Sequence, residues 1–171
     1  MKLSIERNTL LKAVSQAQSV VERRNTIPIL ANVLIEAEGG HAQFRATDLD
    51  IEVLDKVVAQ VERSGSTTVS AVTLHDIVRK LPDGALVTLS DDAAKGRLSV
   101  EAGKSVFSLA TLPKEDFPVM ASTEYEANFT AKAPMLRRLF DKSKFAISTE
   151  ETRYYLNGVY MHIASADGGE V

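Results

Sequence analysis

The sequence predicts an α+β fold in which a βαβββ unit is repeated, with the helices on one side of the sheets. Three observations lead there. The order βαβββ can be read twice within residues 1–120. A glycine and serine break, Ser64-Gly65-Ser66, separates the two passes. A third pass starts after Pro118 and runs through residues 121–171 without reaching its last strands.

In the first pass, MKLSI reads as a short strand. ERNTLLKAVSQAQSVVE follows it as an amphipathic helix, because Leu10, Val14, Ala17 and Val21 share one stripe, with Leu11 beside it. ILANVLIEA, AQFRA and IEVLDKVVAQV are three strand-like runs. They are divided by Gly39-Gly40 and by the turn Thr47-Asp48-Leu49-Asp50. In the second of them, Ala42, Phe44 and Ala46 alternate with polar residues as in a half-buried strand.

In the second pass, TTVS reads as a strand. Thr73 to Asp76 has the spacing of a capping box, and the helix it opens should stop at Leu81-Pro82-Asp83-Gly84, since proline cannot continue the ladder. ALVTLS, RLSVEA and SVFSLATL complete the unit, with turns at residues 91–96 and 102–104.

In the third pass, YEANFTA reads as a strand. Ala133-Pro134-Met135 opens a helix with the apolar stripe Met135, Leu136, Leu139 and Phe140, and RYYLNGVYMHI supplies another strand. A constant offset of 126 residues places Leu10 on Leu136, Lys12 on Arg138, Leu30 on Leu156 and Val33 on Val159. The expectation is therefore a domain over 1–120 and an incomplete second copy over 121–171, the chain being a fragment of a longer protein whose last apolar face is under-covered.

At 171 residues and 44% hydrophobic the chain can build a packed core, and without cysteine it has neither disulfides nor thiolate metal sites. Its longest apolar run, Ile27 to Ile35, is too short to span a bilayer, and no signal-like segment follows Met1. A soluble protein of a reducing compartment is expected.

The net charge of −3 hides its distribution. The helical segments at 6–24, 73–82 and 132–145 carry +2, +1 and +4, which leaves −10 on the remainder. Any one helix can owe its cations to a solvated face or to its C-terminus, as Arg23, Arg24, Arg79 and Lys80 would. Three helices agreeing against an acidic remainder favour a basic, helix-lined surface that attracts phosphate without reading sequence.

No catalytic constellation stands out. His41, His75 and His162 lack metal-ligand spacing, and no phosphate-binding glycine loop or nucleophile elbow is present. Asp48, Asp50 and Glu52 alternate with Leu49, Ile51 and Val53. On a strand they would share a face able to hold a divalent ion, the basis of an alternative reading as a carboxylate-dependent metal hydrolase. The wet side of an amphipathic strand explains the same alternation. A protein-binding scaffold without DNA contact is a further alternative. Tyr154 and Tyr155 would point to opposite faces of a strand, so one ring must leave the core. It lies either at a sheet margin in water or beside Arg153, where it can stack on an unpaired base.

MKLSIERNTLLKAV, NTIPILANVLI, TDLDIEV, SVFSLATLPKEDFP and TRYYLNGVYM together resemble the family of bacterial DNA polymerase III beta subunits, the sliding clamps, from Met1 to about Ile163. The resemblance implies the DNA-clamp fold, three such domains per chain, and a head-to-tail homodimer closing a ring around duplex DNA. It implies a cytoplasmic, non-catalytic processivity factor without cofactor or metal, which tethers the DNA polymerase III catalytic subunit and meets the clamp loader.

By resemblance, Arg24, Arg79 and Arg138 match DNA-facing positions. Arg137, beside Arg138 on the most basic helix, joins them as a DNA-binding candidate. Tyr154 and Tyr155 match a pair that meets the single-stranded template of primed DNA. Glu150-Glu151 stands where relatives present an amide, which implies a weaker local grip. Lys104, Phe107 and Leu109 are the protomer-interface candidates, the alternative being an ordinary hairpin with Phe107 in its own core. Leu156 matches one wall of the pocket for partner peptides.

Overall fold

The first strand, β1 (Lys2–Glu6), buries Leu3 and Ile5, and the chain turns directly into α1 (Arg7–Val20), whose apolar positions Leu10, Ala13, Val14 and Ala17 are all buried. The computed structural model describes residues 1–21, 26–119 and 129–162, in two compact units, Met1–Ser122 and Thr123–Val171.

After α1 the chain makes a 3-10 turn at Pro28–Ala31, where proline lacks the N–H a strand would need. The run read as one strand from Ile29 thus divides into this turn and β2 (Asn32–Glu38), which is followed by β3 (His41–Thr47) and β4 (Glu52–Val58). The long run from Ile51 to Val61 breaks at buried Ala59, whose N–H donates to the Gly40 carbonyl at 3.0 Å, and resumes as β5 (Gln60–Arg63). The second half comprises β6 (Gly65–Ser70), α2 (Ala71–Lys80), β7 (Leu86–Asp92), β8 (Arg97–Ala102) and β9 (Ser105–Leu112). Helix α2 starts three residues earlier than the capping-box reading, because Ser70 and not Thr73 is the cap: its Oγ accepts from the Thr73 N–H at 3.3 Å.

The nine strands among the described residues form one antiparallel row, β4-β3-β2-β6-β9-β8-β7-β1-β5. The order contains an exchange. β1, which begins the first half, pairs with β7 of the second, Leu3 opposite Leu89. β6, which begins the second half, pairs with β2 of the first, Val33 opposite Val69. The row starts and ends with β4 and β5, which are consecutive in the chain and separated by Ala59 alone.

Helices α1 and α2 pack against each other over one core. Leu10 and Val14, Leu74 and Val78, Leu3 and Leu89, and Ile35 and Phe44 are fully buried there, each worth roughly 1.5–3 kcal/mol relative to exposure. A smaller cluster, Ile29, Leu30, Leu34 and Phe117, lies apart from that core. At the start of β6, Gly65 adopts φ +151°, and a Cβ there would lie 3.2 Å from the Met1 nitrogen, so a side chain at this position would be strained and would push the N-terminus aside.

The two sheet halves meet where β6 touches β9 only at Thr68 and Val69, opposite Leu112 and Thr111. Buried Thr68 carries the joint: its hydroxyl donates to the Leu112 carbonyl at 2.7 Å and accepts from the Leu112 N–H at 3.2 Å and from Asn32 Nδ2 at 3.1 Å.

The second unit contains α3 (Ala133–Ser143), 3-10 turns at Lys144–Ala146 and Glu151–Leu156, and no strand among its described residues. The strand read at residues 125–131 lies mostly outside the described residues, and 129–131 form none. The strand read at 153–163 is a correction: its described part is turn and irregular chain. A strand is stabilised by a ladder to a neighbour, and no described segment of this unit supplies one. Among the described residues no helix is long and apolar enough to cross a membrane.

Thr68→Val would leave the Leu112 N–H and the Asn32 amide without their acceptor. It is expected to lower unfolding free energy by about 1–3 kcal/mol in urea titration and to speed hydrogen exchange at Leu112. Unchanged exchange there would contradict the assignment of the joint.

Candidate nucleic-acid interface

Helix α1 begins on Glu6, whose carboxylate accepts from the Thr9 N–H at 2.9 Å and from its hydroxyl at 3.2 Å. The Asn8 and Thr9 backbone N–H groups hold the Glu6 carboxyl below its ordinary range. Opposite its buried stripe, α1 exposes Asn8, Lys12, Gln16 and Ser19, a polar row with a single cation. Helix α2 exposes Thr73, Arg79 and Lys80. Arg79 pairs with Asp76 one turn back at 3.3 Å, with its side chain 60% exposed.

On the described helices of the first unit, fewer cations face outward than the sequence count. Arg7 belongs to the +2 segment, yet its side chain is only 11% exposed and meets Asp83 at 2.6 Å. Arg24 and Arg23 lie outside the described residues. What remains outward on the described helices of this unit is Lys12, Arg79 and Lys80.

In the second unit, α3 exposes Arg137 and Arg138 together with Lys132 and Lys142. Asp141 takes Lys144 at 2.7 Å and Arg137 at 3.7 Å, while Arg138 makes no ion pair among the described residues. Exposed pairs of this kind contribute about 0–1 kcal/mol, so a phosphate can compete for either partner. The apolar stripe of α3 is open, with Met135, Leu139 and Phe140 each exposed and no residue of the helix buried.

The tyrosines do not divide between two faces. In the 3-10 turn both rings are exposed and meet edge to face, centroids 5.7 Å apart at 86°. The surrounding loop is closed by the Ser148 N–H donating to the Leu156 carbonyl at 2.9 Å and the Asn157 N–H donating to the Tyr154 carbonyl at 3.2 Å. Arg153 beside them is held by Glu150 at 3.0 Å. Leu156 is 45% exposed.

On β9, only the last two residues pair with β6, so Ser105 to Ala110 present an open backbone edge. Phe107 lies opposite Val100 and overhangs that edge at 37% exposure, so it is not a closed core residue. Lys104 is exposed in the preceding turn. Leu109, opposite Leu98 and 8% exposed, packs at the margin of the main core, on the strand whose backbone edge is open.

The carboxylate face proposed for Asp48, Asp50 and Glu52 also fails. The first two lie in the turn before β4. Asp48 Oδ1 accepts from the N–H groups of Ile51 at 2.7 Å and Asp50 at 3.0 Å, and the Ile51 N–H above all holds its carboxyl below the ordinary range. Glu52 is engaged by Arg45 Nη1 at 3.0 Å. Among the described residues no group of three or more potential ligands can hold a metal ion.

Residues 1–121 match the family model for the DNA polymerase III beta subunit, N-terminal domain. The chain belongs to that family. It is 55% identical to the beta sliding clamp of Caulobacter vibrioides over 99% of its own length and 45% of that protein's, and 42% identical to the beta sliding clamp of Rickettsia felis over 98% and 46%. A solved structure of Caulobacter crescentus pol III beta superposes with a TM-score of 0.91 at 55% identity, covering 98% of this chain and 46% of that one. A DNA polymerase III subunit beta from Bartonella birtlesii does so with a TM-score of 0.92 at 47% identity, covering 98% and 44%. The chain thus spans under half the length of the relatives it matches.

Sequence reasoning passed over Arg7 in this beta-subunit domain. A signal was present: a cation in the first turn opposes the dipole of its own helix, which marks a side chain with a partner elsewhere.

Because the folded state depresses the pKa of Glu6, this group stabilises the fold above its ordinary pKa, and the contribution is lost as pH falls through the folded value. Glu6→Gln is therefore expected to lower the urea midpoint near neutral pH. It should also lose less on acidification to about pH 3 than the parent does. Equal acid sensitivity of the two would refute the cap assignment.

Proposed function

We propose that this chain supplies the first domain, residues 1–120, and the start of the second, 121–171, of a ring-shaped sliding clamp. The whole protein would be the processivity factor that encircles duplex DNA and tethers the replicative polymerase. The observation that carries this reading is 55% identity to a beta sliding clamp along nearly the whole chain. The adjacent helices α1 and α2, with Lys12, Arg79 and Lys80 outward, fit a wall that attracts phosphate without reading sequence. No step of bond chemistry is required. A closed ring holds the polymerase near the primer end and so raises its effective concentration.

In this reading Arg24, Arg79, Arg137 and Arg138 meet phosphates, and Tyr154 and Tyr155 meet the single-stranded template, their open edge-to-face pair offering one ring for stacking. The Glu150 carboxylate on Arg153 restrains the cation nearest to them. The open edge of β9, with Lys104, Phe107 and Leu109, forms the seam with a second protomer in a head-to-tail homodimer. There backbone hydrogen bonds can continue the sheet. Leu156 forms one wall of the pocket for peptides of the DNA polymerase III catalytic subunit and the clamp loader. The compartment would be the cytoplasm.

The test uses the protein at the full length of its relatives, loaded on circular duplex DNA. A topological clamp is released when the circle is cut, whereas a surface binder remains. Arg79→Ala and Arg138→Ala are each expected to reduce the slope of log affinity against log salt by roughly 1. Retention that ignores cutting, with slopes unchanged in both variants, would remove the proposal.

A further inference from the structure

Among the described residues, Arg7 is the most heavily engaged cation of the first unit. Its Nε donates to the Val78 carbonyl at 3.0 Å and its Nη2 to the Arg79 carbonyl at 2.6 Å. Its Nη1 donates to Asn8 Oδ1 at 2.8 Å and Asp83 Oδ1 at 2.6 Å, and its own backbone N–H donates to the Ala85 carbonyl at 2.8 Å. One residue at the start of α1 therefore binds both the last turn of α2 and the loop that follows it.

The last four carbonyls of a helix have no partner within it, and they carry the negative end of its dipole. At α2 the Leu81 N–H caps Val78 at 3.2 Å, and the guanidinium supplies further donors to Val78 and Arg79. The charge opposes the dipole of α1, on which it sits, and complements that of α2. Side-chain and backbone roles divide at Arg79: its carbonyl is held inward by Arg7 while its guanidinium stays exposed beside Asp76. Lys80 follows in the same turn.

We infer that Arg7 is a positioning residue for DNA binding: without touching DNA, it locks the C-terminal turn of α2 onto the first turn of α1, so that Arg79 and Lys80 are presented in register with Lys12. The inference rests on the clamp reading. It requires a planar fork, because a lysine ammonium is a point charge that cannot reach two successive carbonyls and a carboxylate in one plane.

The experiment compares Arg7→Lys, Arg79→Ala/Lys80→Ala and the triple variant in the full-length protein. It measures affinity for a short duplex against salt at a temperature well below each variant's melting point. Arg7→Lys keeps the net charge and is expected to weaken duplex binding roughly 3- to 10-fold. In the Arg79→Ala/Lys80→Ala background the same change should weaken it no further, because its route to DNA has been removed. Asn8→Ala removes an uncharged anchor of the fork and should act in the same direction more weakly if Arg7→Lys folds poorly.

A lowered melting point with parental affinity would overturn the inference, leaving Arg7 a purely structural cap. An equal loss in both backgrounds would also overturn it. If Arg79→Ala/Lys80→Ala itself binds DNA like the parent, the DNA reading of α2 fails and the inference falls with it, a result distinct from either of the others.

Discussion

The structure depends on the exchange of leading strands between the two halves of the first unit. Hydrogen bonds between β1 and β7, and between β2 and β6, commit the first strand of each half to the sheet of the other. α1 must therefore leave one sheet and deliver the chain to the other, and α2 does the reverse. Each helix therefore joins a strand of one sheet half to a strand of the other, and the two helices pack against each other. Their apolar stripes consequently fill one core, and neither half can bury its own helix alone. The contact of β6 with β9 is brief, and the Thr68 hydroxyl, serving both backbone groups of Leu112, compensates for the short ladder.

This arrangement also shapes the charge distribution. Packing α1 beside α2 turns Arg7 inward, where a guanidinium can serve α2's carbonyl end, and leaves the outer row of α1 polar with one lysine. On the described helices of the unit the outward cations are Lys12, Arg79 and Lys80. Among the described residues Arg79 is paired only within its own helix, at a distance and exposure that leave it exchangeable for a phosphate. The same logic separates Phe107 from Leu109. Both face the same side of β9, yet Leu109 is closed over by the core opposite Leu98 while Phe107 overhangs an unpaired edge.

In the second unit the cations of α3 point outward, but so does its apolar stripe. Its charged face is thus a local property of the helix, whereas covering Met135, Leu139 and Phe140 requires neighbours that no described residue provides. The tyrosine pair shows the same dependence. Its residues carry strand propensity, yet without a ladder partner they settle into a turn stapled by Ser148 and Asn157, which puts both rings in solvent.

Period-two alternation and turn residues were enough to mark β8 and β9 at the bounds the structure shows, and the apolar stripe was enough to place α1, because these signals act between residues close in the chain. The run of familiar segments was likewise enough to identify the family. Alternation carries no information about which strand lies alongside. The exchange of β1 and β6, the break at Ala59, the inward turn of Arg7 and the burial of Leu109 were therefore settled only when distant segments met. Each is an outcome of hydrogen-bond partners and neighbours on other elements, beyond the reach of a local pattern.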